Sequence, residues 1–161
     1  VHLRDNPQNY SFAIGLQCNG RTTPFTYSGH VYPGTYRVSV SGSSYSDLPS
    51  QQYFVANALT INSDKNNLSF DLETHAVSGT ITMNGAIPTA TCNSADRGTV
   101  HFVDSAQNYS FAIGIPCNGR TTPFTFSGHV YPGIYRVSVS GTAYSDLSSQ
   151  KYVLVDQLQV P

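Results

Sequence analysis

The sequence repeats itself at an offset of 99 residues. Pairing residues 1–62 with residues 100–161 needs no gap, and 42 of the 62 aligned pairs are identical. Segment 63–99 occurs once. A period of about 100 residues is the size of one small domain and is too long for the repeats of a solenoid. The sequence therefore predicts two copies of one module, taken from a longer tandem array.

Hydrophobic and polar residues alternate along most of the chain. Tyr36, Val38 and Val40 would share one face of a strand, with polar residues between them. This period-two pattern is typical of antiparallel sheets that turn one face to a core, and no stretch has helical spacing. Within one period the pattern predicts seven strands, at approximately 77–83, 99–103, 108–116, 121–127, 134–140 and 151–160, and one matching 67–73.

Turn residues separate these runs. Asn-Gly pairs, which favour tight hairpins because both positions take positive φ, occur at 19–20, 84–85 and 118–119. Pro-Gly pairs at 33–34 and 132–133 mark a turn just before a strand. Strands and turns together predict an all-β fold of tandem immunoglobulin-like antiparallel β-sandwiches, with about seven strands per 99-residue repeat.

The composition excludes several classes of protein. Charged residues make up 11% of the chain with a net charge of −1, which argues against the basic stripe of a nucleic-acid-binding protein. Eleven tyrosines and eight phenylalanines are far from the signature of a disordered chain. No apolar run is long enough to span a membrane. A surface rich in Ser, Thr and Asn indicates an extracellular or cell-surface protein.

The three cysteines follow the repeat. Cys18 and Cys117 occupy the same repeat position, and Cys92 falls in the segment that occurs once. Each complete period would therefore hold two cysteines, which predicts a disulfide between Cys92 and Cys117 and leaves Cys18 unpaired or paired to a preceding repeat. A disulfide would indicate an oxidising compartment. The alternative is three buried, reduced thiols.

Three stretches carry the pattern of a known family. They are VSGTITMNG at 77–85, NGRTTPFTYSG at 19–29 and HVYPGTYRVSVSG at 30–42. In these stretches the chain resembles the carboxypeptidase-regulatory-like domains and the related Cna-B-like and transthyretin-like β-sandwiches of bacterial surface or secreted proteins. The resemblance covers nearly all of 77–161 and most of 1–74. It implies a fold much more than an activity.

One feature of the Cna-B-like group is not expected here. That group often carries a lysine in its first strand, where it forms an internal isopeptide bond. The corresponding strand at 77–83 has no lysine, and the only lysines of the chain are Lys65 and Lys151. The predicted disulfide would take over the stapling role.

The position of the repeat boundary determines which strands are missing. If the module begins at 77–83, the first repeat, 1–74, lacks its opening strand and the second, 75–161, lacks its closing strand. A missing strand exposes backbone donors and acceptors that pair readily with another chain. We therefore expect neighbouring copies to fill the gaps. The alternative is that the unit begins at residue 1, which makes 1–84 complete and 100–161 partial.

Residues suited to catalysis or metal binding are few. The only glutamate is Glu73, no G-x-S-x-G elbow surrounds a serine, and no H-x-H or C-x-x-C spacing occurs. The five histidines are His2, His30, His75, His101 and His129. The sequence predicts no enzyme, no cofactor and no metal site.

Tyrosines in loops are the remaining candidates for ligand contact. Tyr32 and Tyr45, with their repeat mates Tyr131 and Tyr144, lie at or near loops. Exposed aromatic rings stack on sugars or anchor a partner because they combine a large apolar area with a polar tip. We take Tyr45 and Tyr144 as the candidate contacts, with a glycan as the candidate ligand.

These observations predict a non-enzymatic structural repeat of an extracellular stalk, surface layer or fibre. Its expected partners are neighbouring copies of the same repeat, joined end to end by strand complementation. No nucleic acid is expected to bind. The alternatives are a carbohydrate-binding or adhesive surface module and an accessory domain of a secreted hydrolase.

Overall fold

The computed structural model describes residues 1–16, 25–42, 48–86, 96–107, 109–117, 124–142 and 145–161. These residues form ten strands in antiparallel pairs and contain no helix, which confirms the all-β prediction for this part of the chain. In chain order the strands are β1 (His2–Asp5), β2 (Tyr10–Ala13), β3 (Gly34–Val40), β4 (Tyr53–Ile61), β5 (His75–Ile81), β6 (Gly98–Asp104), β7 (Tyr109–Ile115), β8 (Phe124–Val130), β9 (Gly133–Gly141) and β10 (Tyr152–Val160).

The chain divides into two compact units. Unit 1 comprises Val1–Ser46 and Gln52–Leu72, and unit 2 comprises Asp47–Gln51 and Glu73–Pro161. The two units are defined by which residues pack together, whereas the repeats are defined by the sequence. The boundary between repeats at residues 74 and 75 stays a prediction.

Unit 1 contains one four-stranded sheet in the order β2-β1-β3-β4. Leu3 of β1 lies opposite Val38 of β3. Tyr36, Val38 and Val40 are all buried, as the alternation predicted, because every second residue of a strand points to the same face.

Unit 2 is a β-sandwich-like arrangement of two sheets. One sheet has the order β10-β9-β6-β7, and the other pairs β5 with β8. Phe102 of β6 lies opposite Val137 of β9, the same register as Leu3 and Val38 in unit 1. The sheets enclose a core of buried side chains, namely Ile81, Val100, Phe102, Phe111, Ile115, Phe124, Val130, Tyr135, Val137, Val139 and Val160.

The prediction of a strand over residues 67–73 is wrong, because residues 62–74 form no strand. Leu68, Phe70 and Leu72 alternate there and are half-buried, but no described strand pairs with them. The Leu68 carbonyl instead accepts a hydrogen bond from the Tyr27 hydroxyl at 3.1 Å. Alternation alone does not make a strand when no neighbour supplies the ladder.

Residues 25–31 also alternate without forming a strand. Their sequence, FTYSGHV, differs from that of β8, FTFSGHV, at a single position. Residues 124–130 form a strand beside β5, whereas residues 25–31 are not a strand and belong to no ladder among the described residues. The local sequence permits a strand in both places, and the neighbouring strand determines where one forms.

One of the three Asn-Gly turns lies within the described residues, and the prediction holds there. Asn84 has φ = 53° and Gly85 has φ = 75°, and the flanking Met83 and Ala86 form an antiparallel bridge. The pairs at 19–20 and 118–119 lie outside the described residues.

Candidate functional site

A groove opens in unit 1 beside residues 25–31. It has a volume of about 540 Å³, and all of its lining residues belong to unit 1. Val1, Leu3 and Val38 line its apolar part, and residues 25–31 and 61–68 contribute to its walls. The groove therefore runs beside residues 25–31, which join no ladder among the described residues, and is lined at its base by buried apolar side chains of unit 1.

The equivalent place in unit 2 is occupied by β5. This strand pairs with β8 at seven successive residues, from His75 opposite Val130 to Ile81 opposite Phe124. Ile81 is buried in the core and Val77 packs against it. Gly79 lies so close to Phe126 that an added Cβ would be 2.7 Å from the ring. β5 thus covers one side of the core of unit 2. Every second residue of the strand, namely Val77, Gly79 and Ile81, faces that core.

Residues at matching positions of the two units differ in how far they are buried. Phe124 of unit 2 is fully buried, whereas Phe25 of unit 1 is 47% exposed. Val130 is fully buried and its counterpart Val31 only half-buried. Burying an aromatic or branched side chain stabilises a protein by about 1.5–3 kcal/mol. Unit 1 therefore gains less stabilisation from burying Phe25 and Val31 than unit 2 gains from Phe124 and Val130.

Tyr27 is one of the polar side chains that line the groove. Its hydroxyl donates to the Leu68 carbonyl, and its ring stacks on Phe70 with a centroid separation of 6.4 Å. Burial raises the pKa of Tyr27, so the hydroxyl stays a neutral donor at physiological pH. Apolar side chains beside an extended backbone offer hydrophobic contact and ladder hydrogen bonds, which suit an extended peptide.

A second feature of unit 1 is a group of four aromatic rings, here called the aromatic cluster, made of Tyr10, Phe12, Tyr32 and Tyr36. Tyr36 is buried, whereas Tyr10 and Tyr32 are exposed. Its ring centroids lie 5.9–6.5 Å apart for the contacting pairs. Tyr10 is 42% and Tyr32 66% exposed. The counterparts in unit 2, Tyr109 and Tyr131, are only 4% and 0% exposed. The same residues are thus open in one copy and covered in the other.

Several predicted site residues lie outside the described residues. They are the candidate ligand-contacting tyrosines Tyr45 and Tyr144 and the cysteines Cys18 and Cys92. Cys117 is described and is disulfide-bonded. Its predicted pairing with Cys92, the ligand role of the two tyrosines and the state of Cys18 therefore stay predictions.

The histidines with resolved contacts have structural partners. Nε2 of His2 lies 3.0 Å from the Ser41 hydroxyl, and Nε2 of His101 lies 2.9 Å from the Ser140 hydroxyl. Burial lowers the pKa of both rings, helped by the charge of the Val1 amino group at His2 and by Lys151 at His101. Among the described residues, no three His, Cys, Asp or Glu side chains converge as metal ligands. Nor does any described segment form a helix long and apolar enough to cross a bilayer.

No signal in the sequence indicates that the aromatic cluster differs between the units. Tyr10 and Tyr32 have identical mates in Tyr109 and Tyr131, so no local pattern distinguishes the exposed pair from the buried one. The relevant signal in the sequence is that the segment 63–99, which contains β5, occurs once, whereas residues 25–31 and 124–130 are nearly identical.

Comparisons with protein-family models, with curated proteins and with solved structures found no match. Function is therefore inferred from the groove, the aromatic cluster and the contrast between the two units.

Proposed function

We propose that the chain is a non-enzymatic structural repeat of an extracellular stalk, surface layer or fibre. Each repeat is an immunoglobulin-like sandwich of the Cna-B-like kind, and successive copies join end to end. In this proposal the joint is a strand donated by one copy to the open side of the next.

The groove of unit 1 is the observation that carries the proposal. Two nearly identical segments, 25–31 and 124–130, can each pair with a strand of the β5 type. One such strand, β5, occurs among the described residues, and it pairs with residues 124–130. Residues 25–31 join no described ladder and carry the exposed Phe25 beside the groove, so in this proposal they serve as the acceptor, because unpaired edges recruit strands from other chains.

The pairing in unit 2 also gives the register expected in unit 1. Shifted by the repeat offset of 99, Ile81 of a donated strand would lie opposite Phe25 and Val77 opposite Gly29. Both hydrophobic side chains would then point into the groove, as they point into the core of unit 2. Gly79 would lie opposite Tyr27, where the absence of a side chain leaves room for the tyrosine ring.

A capped peptide of residues 75–83, titrated into the full chain by isothermal calorimetry, tests the proposal. We expect one peptide to bind per chain, with a dissociation constant between about 10 µM and 1 mM because two buried side chains must offset the cost of ordering the strand. An otherwise identical peptide with Ile81→Asp should bind at least tenfold more weakly, since it would place a charge in the apolar groove.

Two matched variants of the full chain locate the binding. Val31→Asp lies on the groove side of the acceptor and should lower the peptide affinity at least tenfold. Asn57→Asp is the matched control, because Asn57 is exposed on β4 and does not line the groove, and it should leave the affinity unchanged. Saturable binding that ignores both variants, or the absence of saturable binding, would contradict strand complementation at this groove.

The disulfide has a separate role in the proposal. A Cys92–Cys117 bridge would tie the segment after β5 to the end of β7 and so hold the closing strand to its own unit. Mass spectrometry after alkylation without reductant should show a single modified thiol, that of Cys18. Alkylation of all three cysteines would remove the bridge from the proposal.

A further inference from the structure

The two acceptor segments, 25–31 and 124–130, differ at one residue, and that residue makes a hydrogen bond in unit 1. Position 27 is tyrosine, whereas its counterpart at 126 is phenylalanine. The Tyr27 hydroxyl donates to the Leu68 carbonyl at 3.1 Å, and the Tyr27 ring stacks on Phe70 at an interplanar angle of 14°. Phenylalanine has no hydroxyl to donate. The one difference between the acceptors therefore ties residues 66–70, here called the latch, to the acceptor of unit 1.

In unit 2 the ring at the same repeat position contacts the closing strand. Gly79 of β5 lies opposite Phe126 in the ladder, and a Cβ on Gly79 would be 2.7 Å from the Phe126 ring. In unit 1 the corresponding ring contacts the latch. Leu68 and Phe70 of the latch are half-buried and line the groove. The same position of the acceptor thus meets β5 in one unit and the latch in the other.

We propose that the latch occupies part of the donor site in the free chain and is displaced when a strand is donated. The inference rests on the proposed strand complementation and adds how the acceptor is regulated. Leu68 and Phe70 supply some of the hydrophobic contact that a donated strand would supply, so latch and donor compete. The latch also partly covers an acceptor that could otherwise pair with unrelated strands.

The backbone of the latch allows it to leave at small cost. Residues 62–74 form no strand, so no ladder has to break when residues 66–70 move away. Asn67 lies in the left-handed region at φ = 62°, a conformation that asparagine adopts more readily than most residues. A segment held by one side-chain hydrogen bond and a ring stack opens at a lower free energy than a paired strand. A donor strand can therefore replace it.

Tyr27→Phe removes the hydrogen bond of the latch and keeps the ring. Phenylalanine already stands at this position in residues 124–130, so the substitution is compatible with the acceptor. In isothermal calorimetry the variant should bind the 75–83 peptide about fivefold more tightly, the effect of one net hydrogen bond lost by the competitor. Tyr152→Phe is the matched control, because Tyr152 is exposed on β10 and does not line the groove, and it should leave the affinity unchanged.

Cleavage by endoproteinase Lys-C reports the position of the latch directly. The only lysines are Lys65, which immediately precedes the latch, and Lys151, which serves as the internal reference. Proteolysis follows the population of the open segment, so Tyr27→Phe should speed cleavage after Lys65 by about fivefold without peptide. A saturating concentration of the 75–83 peptide, which contains no lysine, should also speed cleavage after Lys65 in the wild type. Cleavage after Lys151 should not change in either case.

The two measurements separate this inference from the proposal on which it rests. If the peptide binds but Tyr27→Phe has wild-type or lower affinity, or if bound peptide leaves cleavage after Lys65 unchanged or slower, the latch is overturned and strand complementation stands. If the peptide binds neither the wild type nor Tyr27→Phe, both are overturned. Tighter binding to Tyr27→Phe together with faster cleavage after Lys65 supports both.

Discussion

At the scale of single residues, buried polar side chains shape the turns on which both units depend. Asp104 is buried, and its carboxylate accepts hydrogen bonds from the backbone amides of Ala106, Gln107 and Ile134 at 3.0–3.3 Å. A Cβ on Gly133 would lie 2.6 Å from the same carboxylate. The glycine of the Pro-Gly pair is thus required for close approach, a reason that turn propensities in the sequence did not reveal.

Replacing Asp104 by alanine should lower the free energy of unfolding of unit 2 by about 2–4 kcal/mol, because the buried carboxylate is the acceptor for three partly buried backbone amides. Urea unfolding followed by circular dichroism measures the change. The control is Asp156→Ala, whose carboxylate pairs with Arg136 at 2.9 Å on the surface and should matter by less than about 1 kcal/mol. Equal effects of the two substitutions would show that the Asp104 contacts are not structural.

Tyr36 should make stability depend on pH in the alkaline range. Burial raises the pKa of its hydroxyl, and the charges of Asp5 and Tyr10 raise it further. The unfolded chain ionises first, near pH 10, so the stability contributed by the neutral hydroxyl is complete below about pH 10 and is lost as the pH rises towards the folded-state pKa.

Tyr36→Phe isolates this contribution. It removes the hydrogen bond from the hydroxyl to the Tyr32 carbonyl, 2.6 Å long, which should cost about 1 kcal/mol at neutral pH. It should also flatten the loss of stability between about pH 9 and pH 11. An alkaline slope identical to that of the wild type would mean that Tyr36 is not the titrating group.

At the scale of elements, most strands of unit 2 could be predicted from the sequence and the pairings could not. Alternation located β6, β7, β9 and β10 to within two residues, and in β6, β7 and β9 it marks a buried face. It failed at 67–73, and residues 25–31, which alternate equally well, are not a strand either. Their structure depends on whether a neighbouring strand is present, and that information is not local to either segment.

Truncating the hydrophobic side chain of β5 tests how far this strand stabilises unit 2. Ile81→Ala should lower the free energy of unfolding of unit 2 by about 2–4 kcal/mol, since Ile81 is buried in the core. Thr80→Ala is the control on the same strand, because its side chain is exposed. If both changes cost the same, β5 does not close the core in the way proposed for the groove of unit 1.

At the scale of the whole molecule, the two copies differ in one described pairing, because residues 124–130 pair with β5 and residues 25–31 join no described ladder. Nearly identical sequences give a closed unit where β5 is present and a groove where it is absent. The 99-residue repeat can be read from the sequence, and the unpaired edge expected from it stays a prediction. The groove volume and the exposed rings of the aromatic cluster could not be predicted, because they depend on which residues the neighbouring segments leave uncovered.

Hydrogen exchange of the full chain at neutral pH, read by mass spectrometry, tests most directly whether the missing strand leaves unit 1 open. Backbone amides of residues 124–130 should be protected by their ladder with β5, whereas those of residues 25–31 should exchange at least tenfold faster despite the nearly identical sequence. Adding the 75–83 peptide should slow exchange at 25–31 and leave 124–130 unchanged. Equal protection of the two segments without peptide would contradict an open acceptor in unit 1.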